Sequence, residues 1–333
     1  MLSTLEQRII NRYNGVSILS RFSGCILVAK DTEVLANVNL GLADYAQETH
    51  FTGDTAFPIA SLSKMFTAAC ILLLKEQGKL KLTDSIGEYF SEYKNGAHVT
   101  VKQLLGHVSG IPECPNNLQD LIDKVQSPND IYAFIKDIDM EFEAGSRYSY
   151  SNSNYILLGL IIEKASGKSY GDFLAEHIFK PLNMTHSGYM PQHTNISNMA
   201  VGYDTLHPQP VAAQKIKPVI PFAAGGIHSC VNDLFKWSIG LFNGKILTQE
   251  SLQEMITVDR GDYGLGMGIN KLEIGGKNYT TAGHGGLIPG FFSKFTRILE
   301  TRHTVILLSN ITEIVSEDSG LFSEVIDCVN AGI

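Results

Sequence analysis

The spacing of apolar and polar residues changes character twice along the chain. Residues 22–30 (FSGCILVAK) and 33–42 (EVLANVNLGL) are short apolar-rich runs split by a polar turn at Asp31 and Thr32. That pattern predicts a β-hairpin. Residues 61–77 are apolar on almost every side, through Leu62, Met65, Phe66, Ala68, Ala69, Ile71, Leu72, Leu73 and Leu74. A helix of that kind is central and buried, and Gly78 is a common helix stop. Residues 80–195 read as helices joined by loops, at 83–90, 100–107, 128–138, 153–166 and 169–179. Thr83 and Thr100 are the expected N-caps and Gly167 an expected stop. The run 191–222 holds five of the eleven prolines and has little periodicity, which marks a connection. Beyond it, 224–230 reads as a strand and 231–242 as a helix, followed by strands at 263–270, 279–284, 291–298 and 303–309 and a closing helix at 318–330. Strands at both ends with helices between predict an α+β fold. Residues 1–79 and 196–333 would build the sheet domain, and 80–195 a helical domain inserted into it.

Composition narrows the function. With 333 residues, 44% hydrophobic and 18% charged, the chain can bury a large core. It carries 26 Lys+Arg against 34 Asp+Glu, a net charge of −8, with no basic block. That excludes nucleic acid and anionic membrane surfaces as natural partners. The longest apolar runs, ACILLL (69–74) and YILLGLII (155–162), fall far short of a transmembrane helix. The N-terminus lacks the apolar core of a signal peptide. Cys25, Cys70, Cys114, Cys230 and Cys328 are scattered without a CxxC, which favours free thiols in a reducing compartment. The expectation is a cytoplasmic protein, with export left open if a leader has been removed.

Three short strings could carry chemistry. Ser61 and Lys64 stand three residues apart at the start of the buried helix, so an amine can reach a hydroxyl. The helix N-terminus there would favour developing negative charge. A second SxxK, Ser91 and Lys94, lies in the polar stretch SEYKNG and reads as solvated. Lys64 differs because a buried lysine is costly unless paired or neutralised. The bland alternative is a snorkelling lysine beside a capping serine. Next, Tyr150-Ser151-Asn152 precedes the apolar helix 153–166. A tyrosine near a lysine can act as general base, and an amide beside it can bind both lysine and a substrate carbonyl. The same spacing at Tyr93 and Asn95 shows that the string alone is not specific, and a capping asparagine would explain it too. Last, His284-Gly285-Gly286 lies in TTAGHGGLIPGFF, where glycines let a strand edge approach a ligand. A turn histidine is the plain alternative. His186-Ser187-Gly188 is a further look-alike, read as a loop. No HExxH, HxH or Cys/His cluster suggests a metal site, and P-loop, GxGxxG and GxSxG signatures are missing.

In this order, Ser61-x-x-Lys64, Tyr150-x-Asn152 and His284-x-Gly286 resemble the serine β-lactamase-like and penicillin-binding protein superfamily. The likeness is closest to its class C β-lactamase, serine DD-peptidase and esterase branch. FPIASLSKMFTA, VTVKQLLGHVSGIP, YSYSNSNYILLGLIIEKASG, IFKPLNMTHSGY, AAGGIHSCVNDLFKW and GHGGLIPGF extend it from about residue 20 to 310. The resemblance implies an antiparallel sheet flanked by helices plus an all-helical domain, with the active site at their junction. It implies Ser61 as the acylated nucleophile, Lys64 assisting its deprotonation and Tyr150 as general base. Asn152 would hold the substrate amide, with His284, Gly285 and Gly286 lining the substrate strand. The backbone N–H groups of Ser61 and Leu287 would form the oxyanion hole. No cofactor or metal is implied. The partners implied are a small-molecule or peptide substrate and β-lactams as covalent ligands.

One departure bears on substrate choice. Many relatives carry hydroxyls at the positions of Gly285 and Leu287, where they bind a substrate carboxylate. Each lost bond to a charged group costs about 1.5–3 kcal/mol. The expectation is therefore a peptidase or esterase, similar to penicillin-binding protein 4*-type enzymes, more than a potent β-lactamase. A true β-lactamase, a non-catalytic binding member of the family and a metal-dependent hydrolase stay as alternatives.

Overall fold

The computed structural model describes residues 2–15, 17–113, 125–192, 196, 198–313 and 318–330. Its centre is a six-stranded antiparallel sheet. Helix α1 (Thr4–Tyr13) leads into strands β1 (Gly24–Lys30) and β2 (Glu33–Leu40). Strands β3 (Gly268–Ile274), β4 (Lys277–Ile288), β5 (Phe291–Ile298) and β6 (His303–Ser309) come from the other end of the sequence. The spatial order is β3-β4-β5-β6-β1-β2. The seam where the two ends meet pairs Gly24 with Ser309 and Lys30 with His303.

Period-2 patterning sorts each strand between two cores. In β1, Ile26 and Val28 join one cluster and Cys25, Leu27 and Ala29 the other. The first cluster is closed by α1 and by α5 (Asp318–Asn330), through Ile9, Leu321 and Val325. The second is closed by α2 (Ser63–Glu76), α3 (Asn152–Ser166) and α4 (Val231–Phe242). It runs without a break from Leu27 and Leu308 of the sheet to Leu104, Ile131 and Leu157 of the middle segment. Because both faces are covered, β6 is buried at every position. Among the described residues, no helix is long and apolar enough to cross a membrane.

Several expected elements sit elsewhere, each for a local reason. The stretch expected as a helix at 83–90 forms only a short 3-10 turn, Ile86–Glu88, capped by Ser85 rather than Thr83. The chain doubles back there: a Cβ on Gly96 would lie 2.9 Å from the Gly87 Cα. The strand expected at 224–230 is a helical turn, Phe222–Gly225, followed by a shorter strand, Ile227–Ser229. The strand expected at 263–270 starts at Gly268 instead. Residues before it cross α2, where Gly266 at φ +85° lies against the Lys64 carbonyl. Helices α1 and Gln249–Met255 were not expected. For α1 the signal is present, since Ser3 and Glu6 form a capping box. Cys25, Cys70, Cys230 and Cys328 are free and buried, and Cys114 lies outside the described residues.

Candidate active site

Ser61 is set by a strained backbone. The long apolar helix expected from residue 61 begins as a 3-10 turn, Ala60–Leu62, and turns α-helical at Ser63. Ala60 is held at φ +47°, a region that a residue with a Cβ avoids. The strain brings the Ser61 N–H under strand β4. A Cβ on Gly286 would lie 2.3 Å from the Ile59 carbonyl oxygen and 3.0 Å from the Ser61 nitrogen, so only glycine fits there. Ser293 of β5 fastens the contact by donating to the Ile59 carbonyl at 2.7 Å.

One turn on, Lys64 is fully buried. Its ammonium donates to Ser61 Oγ at 3.1 Å, to Asn152 Oδ1 at 2.7 Å and to the Ala224 carbonyl at 2.8 Å. All three donors are used, which is how a buried amine is tolerated. Burial pulls its pKa down to about 7, and only the nearby Glu113 carboxylate pulls it back up. The amine therefore exchanges its proton near neutrality while touching a hydroxyl.

The segment 149–152 enters α3 from the opposite wall. His107 holds it on both sides of Tyr150. The Ser149 N–H donates to the His107 carbonyl at 2.9 Å, and the Ser151 N–H donates to His107 Nδ1 at 3.1 Å. The Tyr150 ring lies on the imidazole, centroids 4.3 Å apart, with Lys64 Nζ 4.9 Å from the tyrosine centroid. Burial, then the charge of Lys64, keeps His107 neutral. Tyr150 is 37% exposed, so part of it is open to solvent. Its hydroxyl bonds with the Ser61 side chain, which lowers the phenol pKa, but burial raises it by more. The resting group is a neutral phenol.

Asn152 is aimed by Glu113. The carboxylate accepts both the Asn152 backbone N–H and its side-chain Nδ2, the latter at 2.9 Å. With the amide nitrogen held there, Oδ1 must face Lys64. On the strand side, His284 Nδ1 bonds with the Gly285 carbonyl, and Nε2 lies 3.0 Å from the Tyr263 hydroxyl. Burial, then the charge of Lys64, lowers the His284 pKa to about 3. The imidazole is neutral, so residues 283–287 of β4 offer a ligand no positive charge. Leu287 follows, 51% exposed.

Folding thus brings Ser61, Lys64, Tyr150 and Asn152 around one point, with His284 and Gly286 beside it. It separates the look-alikes. Lys94 pairs with Asp139 at the surface, and Asn95 donates to the Ile138 carbonyl. Ser187 donates to the buried Asp233. Sequence reasoning missed His107, Glu113 and Tyr263 as parts of the site. His107 and Glu113 are the two ends of HVSGIPE, a string with no catalytic spacing of its own, so only the tertiary contacts reveal them. Away from the cleft, Asp54, His186 and Cys230 converge to within 4.8 Å despite no ligand spacing in sequence. The Cys230 thiol there is pushed up to about 12 by burial and nearby carboxylates, so it is a protonated and poor ligand.

A serine bonded to a buried amine, beneath an antiparallel sheet and against a helical wall, defines a serine hydrolase of the β-lactamase fold. The chain belongs to the beta-lactamase family, whose model matches residues 11–322. It is 31% identical over 300 residues to a putative penicillin-binding protein, PbpX, of Bacillus subtilis, covering 87% of this chain and 71% of that one. It is 29% identical to penicillin-binding protein 4* of the same organism, covering 87% and 68%. A D-amino acid amidase from Ochrobactrum anthropi, solved with L-phenylalanine, superposes with a TM-score of 0.86 at 27% identity, covering 99% of both chains.

Proposed function

We propose that this protein is a penicillin-binding-protein-like peptidase or esterase that cleaves amide or ester bonds through an acyl-enzyme. Ser61 Oγ attacks the carbonyl carbon as its proton passes to neutral Lys64. The tetrahedral oxygen is held by the N–H groups of Ser61 and Leu287, and Asn152 orients the substrate amide. Tyr150, protonated at rest, hands its proton to the leaving nitrogen or oxygen and is refilled from Lys64. In deacylation water attacks the acyl carbonyl as its proton passes through Tyr150 to the now neutral Lys64, and Ser61 Oγ takes that proton back as it leaves. The reading rests on one observation above all: the fully buried Lys64, its pKa near 7, donates to Ser61 Oγ. With a neutral His284, Gly285 and Leu287, β4 lacks the hydroxyls that relatives offer a carboxylate at those positions, which favours peptidase or esterase activity over efficient β-lactam hydrolysis. D-residue peptides and amides are the natural first substrates, given the likeness to a D-amino acid amidase.

The test is intact-mass spectrometry after incubation with a β-lactam, alongside hydrolysis of a chromogenic ester. The expected result is one stoichiometric, slowly released adduct on the native protein and none on Ser61→Ala, with ester turnover lost in parallel. Adduct formation or turnover that survives Ser61→Ala would overturn the reading. Fast nitrocefin turnover without a lasting adduct would identify a β-lactamase instead.

A further inference from the structure

His284 has both ring nitrogens filled by the protein. Nδ1 faces the carbonyl oxygen of Gly285, a group that can only accept. A neutral imidazole carries one N–H and one bare lone pair. The N–H is therefore on Nδ1, and Nε2 needs a donor. Its partner among the described residues is the Tyr263 hydroxyl, 3.0 Å away. Burial holds the Tyr263 phenol well above the ordinary phenol range, so its proton is in place to be donated.

The surroundings keep that hydroxyl aimed. The chain beyond Tyr263 is fastened, since the Gly264 N–H donates to the Met267 carbonyl at 2.9 Å and the Leu265 N–H to the Met255 carbonyl at 2.8 Å. A Cβ on Gly264 would lie 2.3 Å from the Met255 oxygen, so this approach needs glycine. The Tyr263 ring is buried and packs edge-on against His107, centroids 4.9 Å apart. Tyr155 also contacts the Tyr263 side chain, but its own proton goes to the Leu105 carbonyl at 2.8 Å. Between a phenol oxygen and an imidazole lone pair, the lone pair is the stronger acceptor for the Tyr263 proton.

An open Nε2 would matter to the reaction. The His284 ring centroid lies 6.2 Å from that of Tyr150. A free imidazole ordinarily takes a proton near pH 6.5, far more readily than a phenol gives one up. It would compete for the proton that Tyr150 passes between Lys64 and the reacting atoms.

We infer that Tyr263 is a positioning residue: by donating to Nε2 it locks His284 as the Nδ1–H tautomer and keeps this imidazole out of the Ser61–Lys64–Tyr150 proton relay. The other groups facing the ring agree with that state. Lys64 from α2 and Lys294 from β5 oppose a second proton on it, and His107 and the Tyr150 phenol are neutral. The effect on turnover rests on the acyl-transfer reading, whereas the hydrogen bond does not.

Two measurements test the lock. The first is nitrogen-15 NMR of ring-labelled histidine at neutral pH, with the His284 signals assigned by their loss in His284→Ala. The native protein should show a protonated Nδ1 and a bare Nε2, and in Tyr263→Phe the Nε2 resonance should shift further from the N–H range. A native Nε2–H tautomer, an imidazolium, or an Nε2 resonance unmoved by Tyr263→Phe overturns the inference. The second is a double-mutant cycle on a chromogenic ester. Tyr263→Phe should cost about 10-fold in kcat with KM changed less than about 2-fold. In the His284→Ala background the same change should cost no more than about 2-fold, because the group it acts through is gone. Equal losses in both backgrounds, or none in the native one, overturn the relay role. Absence of ester turnover in the native protein counts against the hydrolase reading and leaves the hydrogen bond to be decided by the NMR signals.

Discussion

The chain spells the same four-residue pattern twice, at Ser61–Lys64 and at Ser91–Lys94, and folding gives the copies opposite fates. Lys64 is fully buried on a helix, spends three hydrogen bonds inside the protein and titrates near 7. Lys94 sits in a run of turns with half its side chain in water, 2.6 Å from the exposed Asp139. Spacing puts an amine near a hydroxyl only where the backbone is helical. Burial then decides whether that amine can give up its proton at neutral pH. The first copy has both conditions and the second has neither.

Lys64→Met should make the largest difference between the two copies. Ester turnover is expected to fall about 10³-fold, the scale of a lost general base. Removing the donor leaves the Asn152 Oδ1 and the Ala224 carbonyl unpaired, so the melting temperature should fall by a few degrees with the fold kept. Loss of folding together with activity would mean that Lys64 is structural. The pH profile comes next in size. Acylation needs neutral Lys64, so the rate should rise with pH through about 7 and fall roughly tenfold per unit below it. His284, held near 3, should add no second step between pH 5 and 8. A flat profile over that range would remove Lys64 as the base. Glu113→Gln sharpens the contrast further, since Lys94 has no counterpart to this carboxylate clamp on Asn152. Misaiming Asn152 should cost roughly 10-fold in kcat with little change in melting temperature. Lys94→Met should do least. Its exposed ion pair is worth about 0–1 kcal/mol, and acylation by a β-lactam should proceed at the native rate; any slowing beyond twofold would break the comparison.

How far the fold could be read from the sequence depended on whether a pattern was local. The helix at 231–242, the strands at 291–298 and 303–309 and the helix at 318–330 have the expected bounds. Each is a run whose own periodicity and end residues specify it. Where the chain meets a distant segment closely, the reading slipped. Gly264 and Gly266 pull residues 263–267 away from strand geometry and onto Met255 and α2. The turn that carries Ser61 gave no warning either, because Ala60 rather than glycine holds the positive φ.

In the site, residue types and order were legible because acyl transfer needs a hydroxyl, an amine and a phenol, and few strings supply them in a suitable context. The groups that aim them were not. His107 acts through one carbonyl and one ring nitrogen on residues more than 40 positions away. Glu113 acts through one carboxylate on Asn152. Neither contact leaves a periodic trace.

The sequence by itself determined the α+β class, the two buried helices, the sheet drawn from both termini and the candidate chemistry. All of these follow from hydrophobic period and residue type, which are properties of neighbours in the chain. The tertiary structure alone decided which SxxK is buried, that Tyr150 rests as a neutral phenol and that only glycine fits at position 286. Those outcomes depend on solvent exclusion and on close approach between distant segments, and neither quantity exists until the chain is folded.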